Sequence, residues 1–257
     1  MSLYSTLVPV KSWPGVMGLL GACGAKDILT RRCRVCAQAV RLSQCSDGMC
    51  AECDMELQPR VGGFCPACGL LYAFSDIEPY LCAQCRKTYP PWDGFGFLNA
   101  YVGVLRDMIL DFKFYAHFER RQALRSLLQR AHAYHFQDLC PECIIPVPLH
   151  TRRLRERGFN QSLEIARGLS HRLNVPIQPW ALERMRWTKA QSGLERKERQ
   201  KNVRGAFQAA PDRVQGKHVL LVDDVSTTGA TLQSCARTLR RAGAQRVDVL
   251  VLAVAQG

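Results

Sequence analysis

The chain from residue 93 onward alternates between apolar positions at helical spacing and short, continuous apolar runs. Four segments repeat apolar residues every three or four positions, which predicts helices that bury one face: 104–112, 124–131, 165–173 and 232–239. Continuous apolar runs predict buried strands at 144–148, 219–222 and 247–254, and a further short run spans 95–101. Strands that alternate with helices of this length predict an α/β fold, with a parallel sheet covered by helices on both faces.

The segment before residue 93 has a different pattern, rich in cysteine and poor in apolar periodicity. Between Cys33 and Cys85 it is interrupted by prolines and glycines, so it cannot bury a core of its own and needs metal to hold it together. The prolines at 90 and 91 force extended backbone and end this segment. We therefore divide the chain into an unassigned segment at 1–32, a cysteine-rich double zinc-ribbon module at 33–92 and an α/β domain at 93–257.

Ten of the thirteen cysteines stand in Cys-x-x-Cys pairs, a spacing that suits metal better than disulfides. Four pairs lie within 53 residues and predict two tetrahedral four-cysteine sites for structural zinc. The candidate ligands are Cys33, Cys36, Cys50, Cys53, Cys65, Cys68, Cys82 and Cys85. Sequential pairing is favoured, and a cross-braced arrangement stays open. Cys140 and Cys143 have no second pair nearby, so we expect thiols without metal there.

Positive charge is concentrated in one part of the chain. The formal net charge is +13, and residues 151–204 carry fourteen Lys or Arg against five Asp or Glu. This density favours a polyanion, either a phosphate ligand or a nucleic acid, although a basic surface in contact with solvent explains the charge equally well. The odd number of cysteines indicates a reducing compartment, and no apolar run reaches the length of a membrane span. We therefore expect a cytoplasmic protein.

A strand followed by two carboxylates and a hydroxyl-rich turn occupies residues 219–231. Parallel strands meet their ligands at the carboxyl end, where adjacent carboxylates can accept hydrogen bonds from the vicinal hydroxyls of ribose or bind Mg²⁺ through water. The turn supplies hydroxyls and backbone amides at a helix N-terminus, which favours a phosphate. The alternative is that these polar residues only end the strand and begin the helix. The candidate ribose-phosphate residues are Asp223, Asp224, Val225, Ser226, Thr227, Thr228, Gly229, Ala230 and Thr231.

Two further polar segments are predicted near this site. A basic loop at 152–161 follows the strand at 144–148, and arginine binds phosphate oxygens in pairs; a solvated turn is the alternative. Its candidate phosphate-binding residues are Arg152, Arg153, Arg155, Arg157, Asn160 and Gln161. Residues 184–207 are charged, nearly strandless and too polar to be buried. Their position resembles that of the mobile loop that closes over the site in phosphoribosyltransferases, which implies a lid; an exposed connection is the alternative. The candidate lid residues are Thr188, Gln191, Arg199 and Asn202.

Residues 219–231 resemble the signature of the type I phosphoribosyltransferases, which bind 5-phosphoribosyl 1-pyrophosphate (PRPP) at this loop. The resemblance implies that Asp223 and Asp224 face the ribose 2′- and 3′-hydroxyls, that residues 227–231 wrap the 5-phosphate, and that Mg²⁺ accompanies PRPP. It also implies that the basic loop grips pyrophosphate. One residue departs from the pattern, because Thr227 stands where purine-salvage members carry an aspartate that acts as base. This departure argues against a purine-type proton transfer.

The order of the motifs resembles the ComF family from about residue 33 to the C-terminus. Zinc knuckles are followed by Pro-Val-Pro-Leu at 146–149, Arg-Gly-Phe-Asn-Gln at 157–161, the polar segment and the phosphate loop. The resemblance implies a type I phosphoribosyltransferase-like domain and a part in natural transformation, with single-stranded DNA and a DNA-translocating helicase among the partners. Two hypotheses follow: handling of single-stranded DNA with a pocket for PRPP or a nucleotide, or transfer of phosphoribose to an unidentified acceptor base.

Overall fold

The cysteine-rich part consists of short elements. The computed structural model describes residues 29–115, 119–187 and 203–255. The first elements are β1 (Thr30–Arg32), β2 (Ala39–Arg41), β3 (Cys45–Ser46), β4 (Met49–Cys50), α1 (Ala51–Glu56) and α2 (Ala83–Lys87). The cysteine-rich part has two units, one around Cys33–Cys53 and one around Cys65–Cys85. β1 pairs with β2 and β3 with β4, both antiparallel, so the first unit is built from two hairpins. α1 begins directly after Cys50 and α2 directly after Cys82, so each unit ends in a short helix.

The rest of the described chain forms a four-stranded parallel sheet with helices on both sides. Its elements are β5 (Gly94–Ala100), α3 (Gly103–Tyr115), α4 (Glu119–His135), β6 (Cys143–Pro146), α5 (Thr151–Arg157), α6 (Gln161–Leu173), β7 (Leu182–Arg184), β8 (Phe207–Ala209), α7 (Pro211–Val214), β9 (His218–Ser226), α8 (Ala230–Arg241) and β10 (Arg246–Val254). The strand order is β5-β10-β9-β6. Apolar runs predicted three of these strands, and the run at 95–101 supplies the fourth. None of the described helices is long and apolar enough to cross a membrane.

Alternate residues of the central strands point into two apolar clusters, one on each face of the sheet. On β9, Leu220 and Val222 join the cluster formed with α3, α4 and α6, whereas Val219 and Leu221 join the cluster formed with α8. Successive side chains of a strand point to opposite faces, so a strand that is apolar throughout needs cover on both sides. The predicted fold class is confirmed.

The two cysteine-rich units pack against opposite faces of this sheet. Met49 and Leu57 of the first unit belong to the cluster with α3 and α4, and Phe64 of the second belongs to the cluster with α8. The indole N–H of buried Trp92 donates to the Ala67 carbonyl at 2.7 Å, which joins the second unit to the sheet domain. Because the units share apolar clusters with the sheet, the domain boundary at residue 92 stays a prediction.

Ligands are expected at the carboxyl ends of β6 and β9, two neighbouring strands of unequal length. Pro146, the last residue of β6, lies opposite Val222 of β9. β9 continues for four more residues to Ser226, so Asp223 and Asp224 belong to the strand itself and extend beyond the end of β6. The carboxyl ends of both strands therefore open onto one space.

Candidate functional site

Asp223 and Asp224 lie at this edge, but inside the molecule, with 8% and 5% of their surface exposed. Buried carboxylates need hydrogen-bond donors. The hydroxyl of Ser162 at the start of α6 donates to Asp223 Oδ1 at 2.7 Å, and the Asp224 backbone N–H donates to the same oxygen at 2.9 Å. The Val225 N–H donates to Asp224 Oδ1 at 2.8 Å. These bonds fix the orientation of both side chains before any ligand arrives.

Lys113 in the last turn of α3 supplies a cation to this pair. Its Nζ lies 2.9 Å from Asp224 Oδ2. Burial by itself lowers the pKa of Lys113, but the adjacent Asp224 raises that pKa above its ordinary value, so the lysine is charged. Burial and the nearby charge of Asp224 raise the pKa of Asp223 to about 7. The site therefore contains one ion pair, between Lys113 and Asp224, and a second carboxyl, Asp223, whose pKa lies near neutral pH.

The turn after β9 leads directly into α8. Gly229 has a φ of +70°, a conformation that glycine adopts readily and other residues adopt with strain. α8 begins at Ala230, and its N-cap residue, Gly229, has no side chain to cap the helix. The N-cap position therefore offers no side-chain acceptor to the first backbone N–H groups, an arrangement that suits a phosphate bound at the positive end of the helix dipole.

The predicted basic loop at 152–161 is wrong as a loop, because most of it forms helix α5. His150 Nδ1 accepts a hydrogen bond from the Arg152 N–H at 3.2 Å and caps the helix, and Gly158 ends it with a φ of +83°. Arginine is a good helix former, and Arg152 pairs with Glu156 one turn later at 3.1 Å. Local propensity and capping therefore outweigh the expectation of an irregular phosphate-binding turn.

Because successive side chains of a helix project in different directions, the predicted arginines of α5 do not all face the same space. Arg153 and Arg157 face the space beside the carboxylates. Arg152 instead lies 4.8 Å from the ring centre of Trp187, and Arg155 is exposed outside that space.

Two predicted polar residues hold this arrangement in place. Asn160 caps α6 by accepting hydrogen bonds from the N–H groups of Ser162 and Leu163, and its amide donates to the Val147 carbonyl after β6. Gln161 Oε1 accepts from Arg157 Nη1 at 2.6 Å. The end of β6, the start of α6 and one cavity-facing arginine are thus tied together.

These groups line one cavity of about 600 Å³, a size typical of small-molecule sites. The predicted residues that line it are Arg153, Arg157, Gln161, Asp223, Asp224, Val225, Thr227 and Thr231. Ser226, Thr228 and Gly229 line a neighbouring cavity instead, and Ala230 belongs to an apolar cluster. Carboxylates on one wall and guanidinium groups on another offer acceptors for hydroxyls and donors for phosphate oxygens.

The eight predicted ligand cysteines form two four-sulfur groups, each made of consecutive Cys-x-x-Cys pairs. Within each group the sulfur atoms lie within 4.8 Å of one another. The groups are Cys33, Cys36, Cys50 and Cys53, and Cys65, Cys68, Cys82 and Cys85. The sequential pairing is confirmed, and the cross-braced alternative does not occur.

The sulfur geometry fits a tetrahedral metal ion. Cys36 Sγ and Cys50 Sγ are 3.8 Å apart, and Cys68 Sγ and Cys82 Sγ are 3.9 Å apart. Sulfur atoms about 2.3 Å from a tetrahedral zinc ion stand about 3.8 Å from one another. The backbone N–H groups of Cys50 and Cys82 donate to the first sulfur of their groups at 3.3 and 3.4 Å. Four sulfur ligands leave no open position, so both groups suit a structural metal.

Similarity to known proteins agrees with this combination of cavity and cysteine groups. Residues 160–256 match the family model of the phosphoribosyl transferase domain. The chain is 32% identical over 233 residues to Competence protein F of Haemophilus influenzae, a match that covers 86% of this chain and 96% of that protein. The chain belongs to the ComF family.

Further ComF-family relatives match over similar lengths. DNA utilization protein YhgH of Salmonella typhimurium is 35% identical over 223 residues, which covers 86% of this chain and 95% of the relative. Competence protein ComFC of Bacillus subtilis is 24% identical over 221 residues, covering 80% of this chain and 83% of the relative. These matches extend from the cysteine-rich units, which we also call the ribbons, into the α/β domain. Both parts are therefore shared with family members.

The predicted lid of this ComF-family chain lies between two short strands. Its candidate residues Thr188, Gln191, Arg199 and Asn202 lie outside the described residues. β7 and β8 pair antiparallel, and of the described residues in the segment predicted as nearly strandless at 184–207 only the first and last belong to them. Leu182 and Phe207 are buried there, which stabilises the pairing.

Residues that the sequence did not predict also lie at the cavity, among them Lys113, Glu156, Ser162 and Arg184. Lys113 and Arg184 line it, and Ser162 donates to Asp223. Ser162 follows the predicted Gln161 directly, so its position in that motif was an available signal. Lys113 lies in a helix recognised only by its apolar spacing, and nothing local marks it as part of the site.

Proposed function

We propose that this protein takes part in natural transformation, handling single-stranded DNA on the cytoplasmic side of the membrane, and that its cavity holds a ribose 5-phosphate group from PRPP or a nucleotide. One observation carries the proposal: two buried carboxylates and three arginines line a single cavity beside the N-terminus of α8, whose N-cap residue is a glycine. The names of the relatives, competence proteins and DNA utilization proteins, support the biological setting.

The chemistry of the cavity suggests how the ligand lies. Asp223 and Asp224 accept hydrogen bonds from the vicinal ribose hydroxyls, and the 5-phosphate sits on the turn at 226–229 against the α8 dipole. Arg153 and Arg157 take a second phosphate or the pyrophosphate of PRPP. Since Lys113 already pairs with Asp224 Oδ2, a Mg²⁺ ion that accompanied PRPP would be held by the ligand's pyrophosphate, and Lys113 would keep its pairing with Asp224.

Two arginines of α5 provide a matched test of the pocket. Arg153→Ala removes a cavity-lining guanidinium, and Arg155→Ala removes an exposed one from the same helix. Loss of a charge-assisted hydrogen bond should weaken PRPP binding about 10- to 100-fold in the Arg153 variant only. Isothermal titration calorimetry with PRPP and ribose 5-phosphate measures this change. Equal affinities in wild type and both variants would contradict the proposed pocket.

DNA binding is tested by its dependence on salt. Contacts between cations and DNA phosphates release counterions, so affinity for a single strand should fall steeply as salt rises. Arg155→Ala should weaken DNA binding and reduce the salt slope, although it spares PRPP. A salt-independent or absent interaction with single-stranded DNA would refute the nucleic-acid part of the proposal.

The link between the pocket and transformation is tested in cells. A deletion strain complemented with the Asp223→Ala/Asp224→Ala variant should transform far less often than one complemented with wild type. Immunoblots must show equal protein levels, because removing buried polar groups also changes stability. A normal transformation frequency would show that transformation does not depend on the carboxylates of the pocket.

Phosphoribosyl transfer is a second candidate, favoured by the arginines that share the cavity with the carboxylates. Thr227 replaces the aspartate base of purine-salvage enzymes, so any acceptor must react without that base. The test is release of pyrophosphate from PRPP with a panel of bases, compared with the Asp223→Ala/Asp224→Ala variant. Binding of PRPP without turnover for any base would exclude the enzyme hypothesis.

We further propose that both four-cysteine groups hold zinc. Elemental analysis of purified protein should find two zinc ions per chain. Cys53→Ala and Cys85→Ala should each remove one, since each destroys a different group. Loss of both ions from either variant would argue against independent sites.

A further inference from the structure

A second cavity, of about 470 Å³, lies beside the turn at 226–229. We call it the ribbon cavity, because cysteines of the second four-sulfur group line it together with residues 226–229 of the turn. Thr227 lines both this cavity and the ribose-phosphate cavity. The turn at 226–229 therefore borders two separate spaces.

Two aromatic residues of the segment that follows the second ribbon line the ribbon cavity. Trp92 is buried, and its hydrogen bond to the Ala67 carbonyl fixes its ring. Tyr89 is 55% exposed and offers an accessible ring face. Flat aromatic surfaces stack on nucleobases without regard to sequence, since every base has a π-face.

Polar groups line the rest of the ribbon cavity. Gln84 of α2 and Gln233 of α8 supply amides, and Arg237 supplies an exposed cation one turn further along α8. Amide groups pair with the edges of bases, and guanidinium groups bind phosphates. Thr228 Oγ1 is buried with no hydrogen-bond partner among the described residues, and buried polar atoms are usually satisfied. This mixture of rings, amides and positive charge differs from the apolar groove that a hydrophobic peptide requires.

We propose that the ribbon cavity binds a nucleobase of a single strand whose phosphate lies on the turn at 226–229. The base stacks on Tyr89, the amides contact its edge, and Arg237 holds the next phosphate. This inference rests on the proposed handling of single-stranded DNA and names a place where the strand is held. It also gives the second ribbon a direct contact with the ligand.

Fluorescence anisotropy of the zinc-loaded full chain tests this inference. The probes are a labelled thymidine octamer and an abasic octamer with the same phosphates. Tyr89→Ala should weaken binding of the thymidine octamer about 5- to 100-fold and leave the abasic octamer unchanged. Tyr89→Phe, which keeps the ring, should bind like wild type. Tyr134→Ala removes a partly exposed tyrosine elsewhere, and it should have no effect.

Arg237→Ala and Arg241→Ala form a second matched pair on α8, and both residues are exposed. Arg237→Ala should weaken binding of both octamers, whereas Arg241→Ala should not. If wild type binds the octamer but Tyr89→Ala binds it equally well, the ribbon cavity is not a base site and DNA handling stands. If wild type binds neither octamer, the proposed DNA handling and this inference both fail. Photocrosslinking of a bromouracil octamer should label Tyr89, and labelling confined to α5 or Trp187 would overturn the assignment.

Discussion

Replacing Asp223 by asparagine should stabilise the protein relative to wild type as the pH rises. Burial and the charge of Asp224 raise the pKa of Asp223 from 3.8 to about 7. Asparagine has nearly the same shape, and its Oδ1 can accept the hydrogen bonds that Ser162 and the Asp224 N–H donate. The substitution therefore removes a titrating group and largely keeps its contacts.

Proton linkage sets the sign and size of this effect. A carboxyl with a raised pKa binds its proton more tightly in the folded than in the unfolded chain, so its contribution to stability is lost as the pH rises from 3.8 through about 7. Each pH unit inside that window lowers the free energy of unfolding by about 1.4 kcal/mol. Between about pH 6 and pH 8, wild type should lose about 1.4 kcal/mol that Asp223→Asn retains.

Urea unfolding of the ligand-free, metal-loaded chain at both pH values measures the effect. For each pH we take the free energy of unfolding of the variant minus that of wild type. The change of this difference between the two pH values is the test, because pH-independent effects of the substitution cancel. Asp212→Asn alters an exposed carboxylate on α7 and controls for general charge effects. The reasoning would be refuted if this difference were the same at both pH values, or if the variant were less stable relative to wild type at the higher pH. The same variant should bind PRPP more weakly.

Three further predictions concern groups around the turn. Lys113→Met should destabilise the protein by about 3 kcal/mol in urea unfolding at pH 8, because it leaves a buried Asp224 carboxylate without its cation; a smaller loss at pH 8 than at pH 6 would contradict this. Trp92→Phe should cost about 1–3 kcal/mol by removing the donor to the Ala67 carbonyl, while the zinc content stays at the wild-type level. Gly229→Ala should lower the melting temperature through about 1 kcal/mol of backbone strain and weaken PRPP binding, although the nearest atom to the added Cβ is 3.8 Å away. An unchanged melting temperature would show that the positive φ is not required.

Local sequence was sufficient where local chemistry decides the structure. Cys-x-x-Cys knuckles present two sulfurs on one turn, so their spacing alone predicted two four-ligand groups. The run at 219–231 predicted a strand, a polar edge and a helix start, because each of these depends on adjacent residues. The basic segment was less predictable: its charge was evident, but helix propensity and the caps at His150 and Gly158 turned it into α5.

Tertiary structure decided the features that join distant parts of the chain. Which knuckles form one four-sulfur group depends on how the chain folds around them, and spacing alone left two arrangements open. Lys113 reaches Asp224 only because α3 belongs to the apolar cluster on one face of the sheet, and no sequence pattern links residues so far apart. Packing on the opposite face of the sheet, in the cluster with α8, places the second ribbon beside the turn at 226–229 and creates the ribbon cavity. Sequence thus determined which chemical groups the protein carries, and packing determined which of them meet, because contacts across the sheet depend on how the elements lie together in space.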